Sequence, residues 1–166
     1  MLSKIPKTEM LNNKRKQIDK LSVRDGLKTL IYDQEIGLKV FYTIINEIEL
    51  VVENIYNHLN KSKTGRILYC GAGTSGRIGV QDGVELYPTF GWPRDRVDFI
   101  LAGGMASLTK SIENAEGDLL RAKEHVEKKK INKNDVIIGL AASGNTPFTC
   151  HVLKYSMPKK PLLIAI

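Results

Sequence analysis

Three short stretches hold the residues able to do chemistry. Gly71-Ala72-Gly73-Thr74-Ser75-Gly76 follows a short apolar run, Ile67 to Cys70, and precedes a helix-compatible segment. A buried strand feeding a glycine-rich turn that opens a helix presents unpaired backbone N–H groups, and the helix dipole favours an anion there. The Thr74 and Ser75 hydroxyls add donors, so the turn reads as an anion site, for a phosphate. A second turn of similar chemistry, Ser143-Gly144-Asn145-Thr146, follows a later apolar run. Carboxylates complete the set: Glu85 beyond the first turn, and Glu113 and Glu116 in the segment Ser111 to Asp118. Two carboxylates near a sugar phosphate can serve as general acid and general base.

Other readings of the same residues compete. Gly71 to Gly76 fits the G-x-G-x-x-G dinucleotide fingerprint, which needs an acid at the end of the second strand to hold a ribose. That strand ends in Leu101-Ala102-Gly103-Gly104 instead. No Lys-Ser/Thr pair follows to make a nucleoside-triphosphate loop. Two hydroxyl-rich turns at the carboxyl ends of strands one and three would lie side by side in a doubly wound sheet and could grip one phosphate with its sugar. The plainer alternative is two ordinary glycine turns and solvated helix-end carboxylates. His58, His125 and His151 fall on helical patterns with no metal-ligand spacing, so no metal is expected.

The elements that must position these residues follow from periodicity and punctuation. Residues 1–21 are polar and basic and read as an extended arm. Ser22 with Asp25 reads as the cap of a short helix reaching about Tyr32. Ile36, Val40, Ile44, Ile48, Val51, Ile55 and Leu59 then form the apolar stripe of one long helix, to be buried in the core or against a second subunit. Strands are expected at 66–70, 97–102, 135–140 and 161–166. The helices between them are expected near 76–85, from Met105 to Ile112, from Asp118 to Lys130, and from Pro147 to Tyr155. Pro88, Gly91 and Pro93 should break the chain before the second strand. Apolar strands alternating with helices specify an α/β fold with a doubly wound parallel sheet. The unalternating strand Pro161 to Ile166 needs a neighbour on each side, so a partner strand or a longer chain is expected.

Composition sets the class. The chain has 166 residues, 42% hydrophobic and 26% charged, as a globular domain does. No run approaches the roughly 20 apolar residues of a membrane span. MLSKIPKTEM has no secretory apolar region, and a cytoplasmic location is expected. Cys70 and Cys150 read as free buried thiols. The net charge of +7 comes largely from Lys14-Arg15-Lys16, Lys128-Lys129-Lys130 and Lys159-Lys160. These clusters are short and lack interleaved aromatics, which argues against a nucleic-acid partner while favouring an anionic metabolite.

Three long segments carry a resemblance: GAGTSGRIGVQDGVELYPTFG at 71–91, LAGGMASLTKSIENAEGD at 101–118 and VIIGLAASGNTPF at 136–148. With Thr8-Glu9, Asn12 or Asn13, and Ile18 to Ser22, they resemble the N-acetylmuramic acid 6-phosphate etherase family of the sugar isomerase (SIS) superfamily, related to the glucokinase regulatory protein. The resemblance implies a SIS-type, flavodoxin-like, three-layer αβα fold over 61–166, with N-terminal helices at 1–60 for packing and dimerisation. It implies a cofactor-independent lyase of cell-wall recycling that releases D-lactate from the phosphorylated amino sugar; the long stripe and the bare fourth strand argue separately for a homodimer. By the same resemblance Glu85 matches the acid, Glu116 the base, and Thr74, Ser75, Gly76, Ser143, Gly144, Asn145 and Thr146 the phosphate and sugar loops. Gly83-Val84 and Leu86-Tyr87 depart from the family pattern around Glu85. Family members run on for about another half of their length, so the C-terminal part of the fold is expected to be missing. A sugar-phosphate sensor without catalysis, or a sugar-phosphate isomerase, are the alternatives.

Overall fold

In the computed structural model, Met10 and residues 17–166 are described; Thr8-Glu9, Asn12, Asn13 and the Lys14-Arg15-Lys16 cluster lie outside them. The chain divides into two compact units, the first ending at Glu53 and the second spanning Asn54–Ile166. In the first, α1 runs Val23–Thr43 and α2 runs Ile45–Asn60, its last residues reaching into the second unit. Ser22 caps α1 as expected, its hydroxyl accepting the Asp25 N–H at 3.2 Å. The expected break near Tyr32 is absent. The helix is interrupted at Ile44 instead, where φ/ψ leaves the helical region and the Thr43 hydroxyl bonds the Val40 carbonyl at 2.7 Å. Three successive β-branched residues, Thr43 to Ile45, are the local reason. The long stripe is also not uniformly buried: Ile36, Val40 and Ile44 are exposed, Ile55 is half-buried, and Leu59 is buried.

The second unit is a four-stranded parallel sheet, β1 Ile67–Gly71, β2 Val97–Leu101, β3 Val136–Leu140 and β4 Leu162–Ala165, ordered β2-β1-β3-β4. Between them lie α3 Gly73–Phe90, α4 Leu119–Lys128 and α5 Pro147–Ser156. Strand alternation sends Leu68, Cys70, Ile100 and Ile137 into one core with Ala122, Val126, Phe148 and Val152 of α4 and α5. Ile67, Tyr69 and Val136 enter a second core with Leu59, and Leu86 of α3 packs there. The αβα layering expected from the sequence is thus realised, with both sheet faces covered.

Two expectations fail locally. Pro88 does not end its helix; α3 continues to Phe90 and stops at Gly91, whose φ of 67° takes the left-handed conformation glycine allows. Met105 to Ile112 is not a helix but a single 3-10 turn, Met105–Leu108. Arg77 donates to the Ser107 and Lys110 carbonyls at 2.9 and 3.3 Å, so those acceptors are tied to α3 rather than to a helical ladder.

Two constraints hold the unit. At the carboxyl ends of the strands, a Cβ on Gly71 would meet Gly76 backbone atoms at 2.9 Å, and one on Gly79 would meet Leu140 Cδ1 at 2.5 Å. Glycine at 76, 79 and 83 lets α3 lie directly on the sheet. At the amino ends, the fully buried Asp135 carboxylate accepts from the Arg66 N–H at 3.1 Å, Arg66 Nε at 3.1 Å, Arg66 Nη2 at 2.8 Å, and the Asn132 N–H and Nδ2 at 3.0 and 3.2 Å. This joins the starts of β1 and β3. Chemical denaturation should show Gly71→Ala less stable by about 2–3 kcal/mol, since backbone meets backbone. Gly79→Ala should lose less, because the closest atom is the end of the Leu140 side chain, and Tyr69 Cβ, at 3.3 Å, need shift by only a few tenths of an ångström. Asp135→Ala should cost about 3–5 kcal/mol by stranding a half-buried guanidinium.

Candidate functional site

The strand order places a topological switch point between β1 and β3, where the chain has gone first to one side of β1 and then to the other. Crevices in open α/β sheets form there, outside the carboxyl ends of the strands. Gly71 and Leu140 are paired in register at that end, so the turns leaving β1 and β3 are neighbours. Each leads directly into a helix, α3 from Ala72 and α5 from Thr146.

Neither helix start is capped by a side chain. Ala72 has no group to offer, and Thr146 makes no capping bond. By contrast Ser22 caps α1 and Asp118 caps α4. The first N–H groups of α3 and α5 therefore retain hydrogen-bonding capacity, and both dipoles present their positive ends at one crevice. The Thr74 side chain is exposed and Ser75 half-buried in the first turn of α3; neither hydroxyl, nor that of Thr146, has a partner among the described residues. Gly144 turns at φ 69°, its N–H bonding the Ala141 carbonyl at 2.8 Å, while Ser143 Oγ accepts the Asn145 N–H at 3.4 Å.

Glu116 joins these loops. It lies in a 3-10 turn, Ala115–Gly117, entered through Asn114 in the left-handed conformation at φ 58°. A Cβ built on Gly73 would stand 3.4 Å from Glu116 Oε1, so the carboxylate rests against the first residue of α3. Ala115 packs on the core that holds Phe148 of α5, which anchors the turn. Alongside is a cavity of about 270 Å³ whose lining includes Glu113, Asn114, Arg121 and Phe148.

Glu85 is placed differently. It is exposed on α3, twelve residues beyond Gly73, which a rise of 1.5 Å per residue converts to about 18 Å along the helix. One chain therefore brings Glu116 to the glycine turn and leaves Glu85 distant from it. Cys150 is exposed rather than buried as expected, with Sγ 3.9 Å from the Gly144 carbonyl. Cys70 is buried, and burial pushes its thiol up to about 12. Among the described residues no cluster of His, Cys, Asp and Glu could hold a metal ion.

Sequence reasoning passed over Arg77, which ties the 105–110 loop to α3, and Arg121 on the cavity wall. The glycine spacing 76, 79, 83 was a legible sign of a helix pressed onto a sheet. Nothing in the sequence points Arg121 at the cavity.

Comparison with known proteins agrees with this architecture. The chain is 36% identical over 163 residues to the N-acetylmuramic acid 6-phosphate etherase of Psychromonas ingrahamii, covering 96% of this chain and 52% of that protein. It is 38% identical over 162 residues to the protein of that name from Mycoplasma mycoides subsp. mycoides SC, again 96% and 52%. With the one from Lactococcus lactis subsp. lactis it shares 39% over 150 residues, 90% of this chain and 50% of that protein. The chain thus spans about half the length of the curated relatives it matches. Among solved structures, the phosphoheptose isomerase of Neisseria gonorrhoeae superposes with a TM-score of 0.59 at 18% identity, covering 87% of this chain and 75% of that one, a likeness of fold. Residues 47–157 match the glucokinase regulatory protein N-terminal SIS domain, and the chain belongs to that family, with its sequence resemblance directed to the etherases.

Proposed function

We propose that the β1–β3 crevice binds the phosphate of an amino-sugar phosphate, and that the chain serves the cleavage of the D-lactyl ether of N-acetylmuramic acid 6-phosphate. The observation that carries this reading is the meeting of two uncapped helix starts with one carboxylate, Glu116, at the switch point. The helix starts and the hydroxyls of Thr74, Ser75, Ser143 and Thr146 suit a phosphate dianion. Gly76, Gly144 and Asn145 shape the backbone around it.

The chemistry follows from the substrate. The proton at C2 is weakly acidic and needs a base; the lactate oxygen departs as an alkoxide and needs a proton as the C–O bond breaks. Glu116, beside the loop, takes the C2 proton in this reading. The elimination releases D-lactate and leaves an unsaturated sugar, to which water then adds, giving N-acetylglucosamine 6-phosphate. Glu85 is the proposed acid, by resemblance. Its place about 18 Å along α3 means that it serves the crevice only in an assembly that brings a Glu85 there. The exposed apolar residues Ile36, Val40 and Ile44 suit association with a second copy. Because Glu85 stands apart from Glu116 in one chain, binding without catalysis is the second reading.

Two measurements separate these readings. In nuclear magnetic resonance titrations with N-acetylglucosamine 6-phosphate, the amides of residues 73–76 and 144–149 should shift most. The double variant Ser75→Ala, Ser143→Ala should bind at least tenfold more weakly. In a lactate-release assay Glu116→Gln should lose at least a hundredfold in rate while its affinity for the product changes less than threefold. Binding without lactate release by the unaltered chain would select the sensor reading.

A further inference from the structure

The cavity next to the Glu116 turn has a mixed lining. Ile112, Ala115 and Phe148 supply apolar surface, and Glu113, Asp118 and Arg121 supply charge. Its volume, about 270 Å³, suits one small substituent rather than a whole sugar.

Arg121 occupies an uncommon position. It is in the first turn of α4, where a cation opposes the helix dipole. Its backbone N–H bonds Asp118 Oδ1 at 3.0 Å, and its Nε lies 3.3 Å from Asp118 Oδ2. That pairing satisfies the cap and uses one of the guanidinium nitrogens. Nη1 and Nη2 have no partner among the described residues, so the bidentate face of the fork is free. Stabilising α4 does not call for an arginine here, since Asp118 caps the helix through the backbone of residue 121 whatever its side chain.

We infer that this cavity seats the acidic ether arm of the substrate and that Arg121 reads the arm's carboxylate through its two Nη groups. The inference rests on the proposed etherase reading and adds the residue that would set its specificity. The arm carries a methyl group and a carboxylate, matching the apolar and cationic parts of the lining. Asp118 is already compensated by the contacts it makes with Arg121. Glu113 is not: it has no partner among the described residues, and it would repel an incoming carboxylate unless the guanidinium stands ready. Recognition therefore depends on the geometry of paired donors rather than on a net positive field.

Two ligands isolate the arm: N-acetylmuramic acid 6-phosphate carries it and N-acetylglucosamine 6-phosphate lacks it. Calorimetric affinities for both would be measured in a Glu116→Gln background, which prevents turnover, with and without Arg121→Gln. The parent should prefer the arm-bearing sugar at least tenfold. Arg121→Gln should abolish or invert that preference while leaving affinity for the arm-free sugar within threefold, and Arg121→Lys should restore only part of it. The arginine side chain is 66% exposed, and matching unfolding curves would confirm an intact fold. Equal affinity for the two sugars in the parent, or a preference retained in Arg121→Gln, overturns the Arg121 assignment and leaves the crevice reading standing. Binding of neither sugar overturns the crevice reading and this inference with it.

Discussion

Where Gly76 of α3 crosses Gly71 of β1, a Cβ on either residue would lie within about 3.0 Å of the other's backbone. That crossing determines how steeply the chain can turn from strand to helix. It brings the first turn of α3 directly over the end of β1, where its N–H groups face the crevice instead of a packed side chain. Gly79 and Gly83 extend the same contact along the helix against Leu140, Tyr69 and Phe99. A bulkier residue at any of these points would lift the helix and move its positive end away from the turn after β3. The site's geometry thus depends on side chains that are not there.

The two ends of the sheet are built on opposite electrostatic logic. At the amino ends, Asp135 is buried with five donors, and Asp98 pairs with Lys129 while standing 3.7 Å from Arg66. Charges there are matched, so removing one partner strands another. At the carboxyl ends, two helix starts lack side-chain caps and three hydroxyls lack partners among the described residues. Interactions are complete where the fold must hold and incomplete where a ligand would bind.

Glu116 lies within this unfinished region under a constraint of its own. Its carboxylate, next to Gly73, shares the favourable field of the α3 dipole that a bound phosphate would use.

Much of this could be read from residue order. The alternation of apolar runs with helical patterns specified the parallel sheet, and the two turns after β1 and β3 marked its switch point, because both signals are local. Glu116 was legible as a carboxylate in a motif. That its Oε1 abuts Gly73 depends on a turn through Asn114 packed over α5, which no spacing records. The loop after Leu108 was likewise hidden, since the Arg77 donors that take its carbonyls come from about 30 positions away, whereas the break at Ile44 and the stop of α3 at Gly91 rather than Pro88 have local causes. Residue types and their periods, acting over a few neighbours, determined the elements and the chemistry available. Only the tertiary structure decided which carboxylate reaches the crevice, because that distance is set by how closely a glycine-faced helix can lie on its sheet.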